Sequence, residues 1–425
     1  MSEVAGYVAD VAYPDRFHRE LMPTWLHAVA TALGRPAPSL AAGYRWLELG
    51  CAGGASALVA AACNPEARFV AVDVDAAQIA LARERAREAG IGNIEFVAAD
   101  LCEYATRGGE PFDFIVSHGV WSWVAPDVRD AMLAIVRERL APGGLAMVTY
   151  MCHPGASPLQ SVQRLMREAA RHVQGDSGAR ARTALGLVER LAVANAGFFV
   201  EHPGARRQVE AMAHEMPDYL AHEFLTDHWQ PQHVADVIDA FAGAGCTHVG
   251  SAMPLENIDA VSVPGQVQPL LQGLPSGALA ETVRDLARNQ SLRRDLYQRD
   301  ALPLDSAAHR AALDAITFMA LPGAPANGGL RLDTRIGPVE CPAELFAPAL
   351  RALAQGPQTF AALRALPPYA SVPGLLNQVT QTLLWAGLAH PLRESALPAS
   401  SAGFAWQPAL RLLGAAGTAI AAGAR

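Results

Sequence analysis

The stretch Glu48-Leu-Gly-Cys-Ala-Gly-Gly54 is the part of the chain best suited to chemistry. It joins the run Arg45-Trp-Leu-Glu-Leu to the small-residue run Ala55–Ala62. A strand, a glycine-rich turn and a helix in that order let a ligand approach backbone amides at the helix N-terminus. Small residues at positions 50, 52, 53, 54 and 55 leave room for it. Asp73 ends the next strand-like run, 23 residues after Gly50. Its carboxylate can accept two hydrogen bonds from ribose hydroxyls. Asp100 ends a third run, where an adenine amino group would sit in such an arrangement. A phosphate-cradling GxxxxGK[ST] loop is excluded because the chain has no lysine, and the spacing is not the GxGxxG of a nicotinamide site.

These residues need a scaffold that gathers strand ends. Strands are expected at 45–49, 68–73, 93–97, 112–116 and 145–150. Helices are expected at 55–62, at 76–89 with Gly90 closing it, and at 126–140 with Pro126 near its start and Pro142-Gly-Gly after it. Strands alternating with helices imply a parallel sheet covered on both faces, with right-handed crossovers. Upstream, 15–34 reads as a helix with Phe17, Leu21, Trp25 and Val29 on its apolar face. After Tyr150 the rhythm changes. Residues 157–230 read as helical, Cys246–Gly250 as a strand, 265–290 as helical again and Leu292–Tyr297 as one more strand. The sheet is thus expected to be interrupted by a helical insertion and completed later. Residues 301–425 read as a separate piece, in which 357–363 and 372–387 form two helices and 388–392 an apolar strand, a winged-helix-like rhythm.

Composition narrows the function classes. Half of the 425 residues are hydrophobic and only 17% are charged, so a large core can be buried. The net charge of -8 argues against a nucleic-acid partner. All 33 basic residues are arginine. A GC-rich coding sequence explains that, and so does avoidance of self-modification by an enzyme acting on lysine. Cysteines at 51, 63, 102, 152, 246 and 341 form no CxxC pair and no even framework, which fits thiols in a reducing cytoplasm. No basic-then-apolar leader opens the chain, no run is long enough to span a membrane, and the Ala-rich stretch 414–423 is too short to change that. His202, His214, His222, His228 and His233 are spaced so that they do not share one helical face, so no metal site is expected, and His222-Glu223 is expected to make internal hydrogen bonds.

With these residues in place, Glu48-Leu-Gly-Cys-Ala-Gly-Gly resembles motif I of the class I S-adenosylmethionine (SAM) methyltransferases, with Ala52 in place of the middle glycine. Asp73 is similar to the ribose-binding acid of that family, Asp100 to the acid beside adenine, and Phe112-Asp-Phe-Ile-Val to its fourth-strand motif. Ser117-His-Gly-Val-Trp-Ser-Trp-Val, Tyr150-Met-Cys-His-Pro-Gly and Tyr219-Leu-Ala-His-Glu-Phe-Leu resemble bacterial methyltransferases that carry a methyltransferase regulatory domain, among them the rickettsial protein lysine methyltransferases.

The resemblance implies a Rossmann-like α/β fold and SAM as cofactor, held by Glu48, Gly50, Ala52, Gly54, Asp73, Asp100, Leu101 and Ser117. It implies a division into an N-terminal helical lid (1–44), a SAM-binding core (45–150), a helical insertion or regulatory region (151–233), completion of the sheet (234–300) and a C-terminal accessory domain (301–425). The implied reaction is methylation of a protein lysine side chain, with a small metabolite or RNA as other acceptors, and a non-catalytic SAM-binding protein as the alternative of another class. Methyl transfer to an amine needs alignment, desolvation and a deprotonated nitrogen. His118, just past the fourth strand, is the candidate proton acceptor. Trp121, Trp123, Tyr150 and Tyr13 are candidate aromatic walls for cationic groups. The oligomeric state stays open.

Overall fold

The computed structural model describes residues 3–393 except 5, 42, 327 and 373. Seven strands form its central sheet: β1 (Arg45–Leu49), β2 (Arg68–Asp73), β3 (Ile94–Ala98), β4 (Phe112–Ser117), β5 (Leu140–Met151), β6 (Cys246–Ser251) and β7 (Leu292–Arg299). Their spatial order is β3-β2-β1-β4-β5-β7-β6. β1 to β5 are parallel, and β7 lies antiparallel between β5 and β6. The order reverses between β1 and β4, which opens a crevice at the carboxyl ends of those strands. All seven strands stand where the sequence places them, the last two after the insertion.

Side-chain alternation gives the sheet two apolar faces. Trp46, Phe69 and Phe114 belong to one buried cluster, and Leu47, Val70 and Ile115 to another. Helices Ala55–Cys63 and Ala76–Ala89 cover the first face, and Leu101–Ala105, Pro126–Arg139 and Val234–Gly243 the second. Helix Ala76–Ala89 shows local rules deciding its ends. Asp75 caps its start by accepting from the amides of Ala77 and Gln78, and left-handed Gly90 stops it.

Residues 159–224 form five helices around a third cluster that contains Met166, Leu185, Val188 and Leu220. Val8, Trp123 and Met151 belong to the same cluster, so the insertion grips both the N-terminal segment and the mouth of the sheet.

Two expectations need correction. The helix expected over 15–34 begins only at Pro23 and ends at Ala32, after a short 3-10 turn at Arg19–Leu21. Pro23 takes the first helical position, where a missing N–H costs nothing. Residues 13–18 instead run across the sheet's carboxyl edge, tied down by a bidentate Arg85–Asp15 pair (2.8 and 2.6 Å) and by the His18 amide donating to Ser56 Oγ at 3.1 Å. The C-terminal piece is not separate either. Leu313, Phe346 and Leu383 share one buried cluster with Trp25 and Trp46. It contains helices Phe360–Arg364 and Leu375–Trp385, close to the expected pair, and a three-stranded sheet of Gln358–Thr359, Thr317–Ala320 and Ala389–Leu392. The Ala-rich stretch 414–423 lies outside the described residues. The six cysteines are unpaired thiols, and among the described residues no helix is long and apolar enough to cross a membrane.

Candidate active site

A cleft opens at the carboxyl ends of β1 and β4. The Gly50 loop forms its floor. Gly50, Ala52 and Gly54 all have positive φ, at 80°, 45° and 74°. That geometry turns the chain back on itself, and the Gly50 and Cys51 amides both donate to the Val72 carbonyl. A Cβ on Gly50 would lie 2.2 Å from Val120 Cγ2, so close approach is built into this position. Ala52 holds a left-handed conformation without glycine's freedom, and its amide donates to Asp73 Oδ2 at 2.8 Å. The Asp75 amide donates to Asp73 Oδ1 at 2.9 Å, so two backbone groups aim this carboxylate. Burial pushes Asp73 above its ordinary range, against the lowering effect of those two amides.

Of the eight residues expected to hold the cofactor, Glu48, Gly50, Ala52, Asp73, Asp100 and Leu101 line the cleft. Asp100 caps helix Leu101–Ala105 through the Cys102 amide (2.7 Å). Gly54 and Ser117 are not in the lining. Gly54 lets helix Ala55–Cys63 pack close, since its Cβ would strike Phe96 at 2.6 Å, and Ser117 donates to the Leu49 carbonyl at 2.9 Å, tying β4 to β1. Glu48 Oε2 is buried without a partner. Burial, and then Asp73, push this carboxyl up to about 8. A cationic ligand would supply the missing partner and favour the charged form.

The other half of the cleft is assembled from side chains. Tyr13 and Trp123 line it, as expected, together with Tyr7, His18 and His222, which the sequence reading did not assign to the site. Tyr13 lies edge-on to His222 (5.2 Å between ring centres) and Tyr219 (6.3 Å), while Tyr7 tilts against His222 at 5.2 Å. Trp123 is fixed by its indole N–H donating to the Glu223 carbonyl at 3.2 Å. His222 does make the expected internal bond, to the Val11 carbonyl at 3.0 Å, yet its Nδ1 stays buried and unpartnered. Burial pushes the nearby Glu223 carboxyl up to about 7, against the pull of Arg16.

Two expected walls are elsewhere. Trp121 is 3% exposed and packs on Phe241 at 5.6 Å in the core beneath the sheet. Tyr150 is fully buried, and its hydroxyl donates to Asp295 Oδ2 at 2.5 Å. Strand alternation explains the second correction: in β5 the side chain aimed at the site is Thr149, whose hydroxyl meets His118 Nδ1 at 3.1 Å.

His118 lines the cleft as expected and stacks on His18 with ring centres 3.6 Å apart. Burial lowers both imidazoles, and each lies near Glu20, 3.9 Å from its Oε1. His18, Glu20 and His118 are the one trio with metal-ligand spacing among the described residues. Arg294 already donates to Glu20 Oε1 at 2.7 Å. A dication there would face a guanidinium, so the trio suits a proton better than a metal.

The seven-stranded order β3-β2-β1-β4-β5-β7-β6, with β7 antiparallel and a glycine loop after β1, is a Rossmann-like methyltransferase fold. Residues 47–144 match a family described as a methyltransferase domain, and 216–299 match one described as a predicted methyltransferase regulatory domain. An uncharacterized protein of Synechocystis is 30% identical over 390 residues, covering 91% of this chain and 76% of that one. A trans-aconitate 2-methyltransferase of Paracidovorax citrulli is 30% identical over 155 residues, 35% of this chain and 55% of that one. PKMT2 from Rickettsia typhi, in complex with AdoHcy, superposes with a TM-score of 0.69 at 19% identity, over 90% of this chain and 77% of that one. The chain belongs to the class I SAM-dependent methyltransferases that carry a methyltransferase regulatory domain. It is an enzyme and its cofactor is SAM.

Proposed function

We propose that this methyltransferase acts on the amine of a protein lysine side chain. The observation that carries this reading is the pairing, in one cleft, of an aromatic wall (Tyr7, Tyr13, Trp123) with a partly buried imidazole, His118, whose protonation burial disfavours. Rings around a methylammonium product stabilise it by cation–π attraction. A neutral imidazole can take the proton that an ammonium must lose before its nitrogen becomes nucleophilic. The overall likeness to rickettsial PKMT2 supports the same substrate class.

In this reading Glu48, Gly50, Ala52, Asp73, Asp100 and Leu101 hold SAM, with Asp73 accepting from the ribose hydroxyls. Bound there, SAM supplies a methyl group on a sulfonium, a good leaving group for in-line displacement. The chain's own residues do the rest. Residues 13–18 cover the cleft and exclude water, Trp123 and Tyr13 orient the amine, and His118 accepts its proton. We further propose the division into lid 1–44, core 45–150, insertion 151–233, sheet completion 234–300 and a C-terminal accessory region 301–425 whose described part packs on the core rather than standing apart, and a cytoplasmic location.

The test is transfer of label from methyl-labelled SAM to fractionated lysate of the source cell. Methyl-lysine recovered after acid hydrolysis of the protein fraction is the expected result. Label confined to small molecules or RNA would overturn the lysine reading while leaving the methyltransferase intact.

A further inference from the structure

One oxygen near the cleft serves three positive or potentially positive groups. Glu20 Oε1 accepts from Arg294 Nε at 2.7 Å and lies 3.9 Å from Nδ1 of both His18 and His118. The groups come from different parts of the chain. His18 and Glu20 belong to the N-terminal segment, and His118 follows β4. Arg294 is on β7, inside the stretch that matches the regulatory domain, in register with Thr149, whose hydroxyl contacts His118.

We propose that Glu20 and Arg294 are positioning residues for proton acceptance at His118: Glu20 carries the charge that stabilises a protonated imidazole, and Arg294, from the regulatory segment, sets how much of that charge is free. The inference rests on the reading of His118 as acceptor for an amine and adds the means by which the regulatory segment reaches the chemistry.

The argument is electrostatic. Burial disfavours a positive charge on either imidazole, and the stacked partner adds repulsion once one is protonated. The charged groups facing His118 are His18, Glu20, Arg294 and Arg16, of which only Glu20 favours protonation. Burial would raise the Glu20 carboxyl, but Arg294 and then the imidazoles hold it down at about 2, so it is ionised at any working pH. Arg294 and the imidazoles therefore compete for one fixed negative charge in a poorly hydrated place, where Coulomb terms are large. With Nδ1 hydrogen-bonded to Thr149 Oγ1 at 3.1 Å and 3.9 Å from Glu20, Nε2 is the nitrogen left to meet an entering ammonium. It takes one proton, the amine keeps the electron pair, and the imidazolium later returns the proton to solvent.

The pair makes opposite predictions for two substitutions that each remove one charge. Arg294→Gln should release Glu20 and raise the titration midpoint of His118. Glu20→Gln should remove the only favourable charge and lower that midpoint. Shifts of about half a pH unit or more, roughly threefold in proton affinity, are expected for unit charges at such distances. The measurement is NMR of the full chain carrying 13C at the imidazole Cε1, with the His118 signal assigned by its loss in His118→Asn. Arg294→Lys, which keeps the charge, should return the midpoint toward that of the parent and separates an electrostatic role from a packing one. Midpoints moving in the same direction, or not moving, would overturn the proposal. So would an Arg294→Lys variant that behaves like Arg294→Gln. None of these readings depends on the acceptor substrate, so a failure to find methyl-lysine would remove the amine reading without deciding this one.

Discussion

The floor of the cleft, which we assign to SAM, is built mostly by backbone, whereas the facing wall is built mostly by side chains from distant segments. On the floor, three left-handed residues and two amides aim Asp73, all within 26 residues of Gly50. On the wall, Tyr7, Tyr13, Trp123 and His222 meet because the N-terminal segment and the helical insertion dock on each other. Backbone geometry follows from local spacing and small residues. A side-chain wall depends on every docking step being correct, so a family can keep the first while varying the second.

The largest effect tests where the wall ends. Trp121→Ala removes a core indole and should cost about 3–5 kcal/mol of stability. Trp123→Ala should leave SAM affinity intact and lose turnover. Trp123 is itself buried in the insertion's cluster, so both variants lose stability. Calorimetry with SAM and turnover on the folded variants separate them, and a Trp121→Ala protein that keeps SAM affinity but loses turnover would erase the distinction between core and wall. Next, Asp73→Ala should weaken SAM binding at least tenfold, about 1.5–3 kcal/mol for hydrogen bonds to a charged group. Unchanged affinity in a folded variant would remove Asp73 from the floor. A pH-dependent effect follows at Glu48. Its carboxyl titrates near 8 when folded and near 4.5 when unfolded, so the parent loses stability as pH rises through that window. Glu48→Gln cannot titrate and should gain on the parent by at most about 1.4 kcal/mol per pH unit across it. Parallel urea midpoints at pH 5.5 and 7.5 would contradict this. The smallest effect is Ala52→Gly. Relief of a left-handed alanine should exceed the entropic cost of glycine by under about 1 kcal/mol, seen as a slightly higher unfolding midpoint.

The same contrast decides what was legible in the sequence. The seven strands, the loop and its acids were readable because each is a local pattern of apolar runs ended by small or acidic residues. Trp121 and Trp123 were not separable, since two indoles in one short turn diverge only when the Trp123 amide bonds back to Val120 and the loop picks its inside. Tyr150 was named where Thr149 meets His118, a phase error of one residue on a strand buried on both sides. With both faces apolar, the sequence carries no polar side to set that phase. Tyr7 and His222 had no local signal at all: His222 reaches Val11 across 211 positions, and only the folded insertion brings them together. His18 and Glu20 were hidden for a further reason. Their segment reads as one helix, whereas His18 is extended at the cleft and Glu20 sits in the 3-10 turn that follows.

β6 and β7 both fall inside the stretch that matches the regulatory domain, yet they are the outer strands of the catalytic sheet. The two matched segments must therefore be inherited and expressed together. A chain shortened before residue 216 would bare the edge of β5 along Leu145–Met151, seven residues that β7 otherwise pairs. Such an edge, apolar and without a charge to guard it, is a template for other chains, and its expected fate is insoluble association rather than an unregulated enzyme.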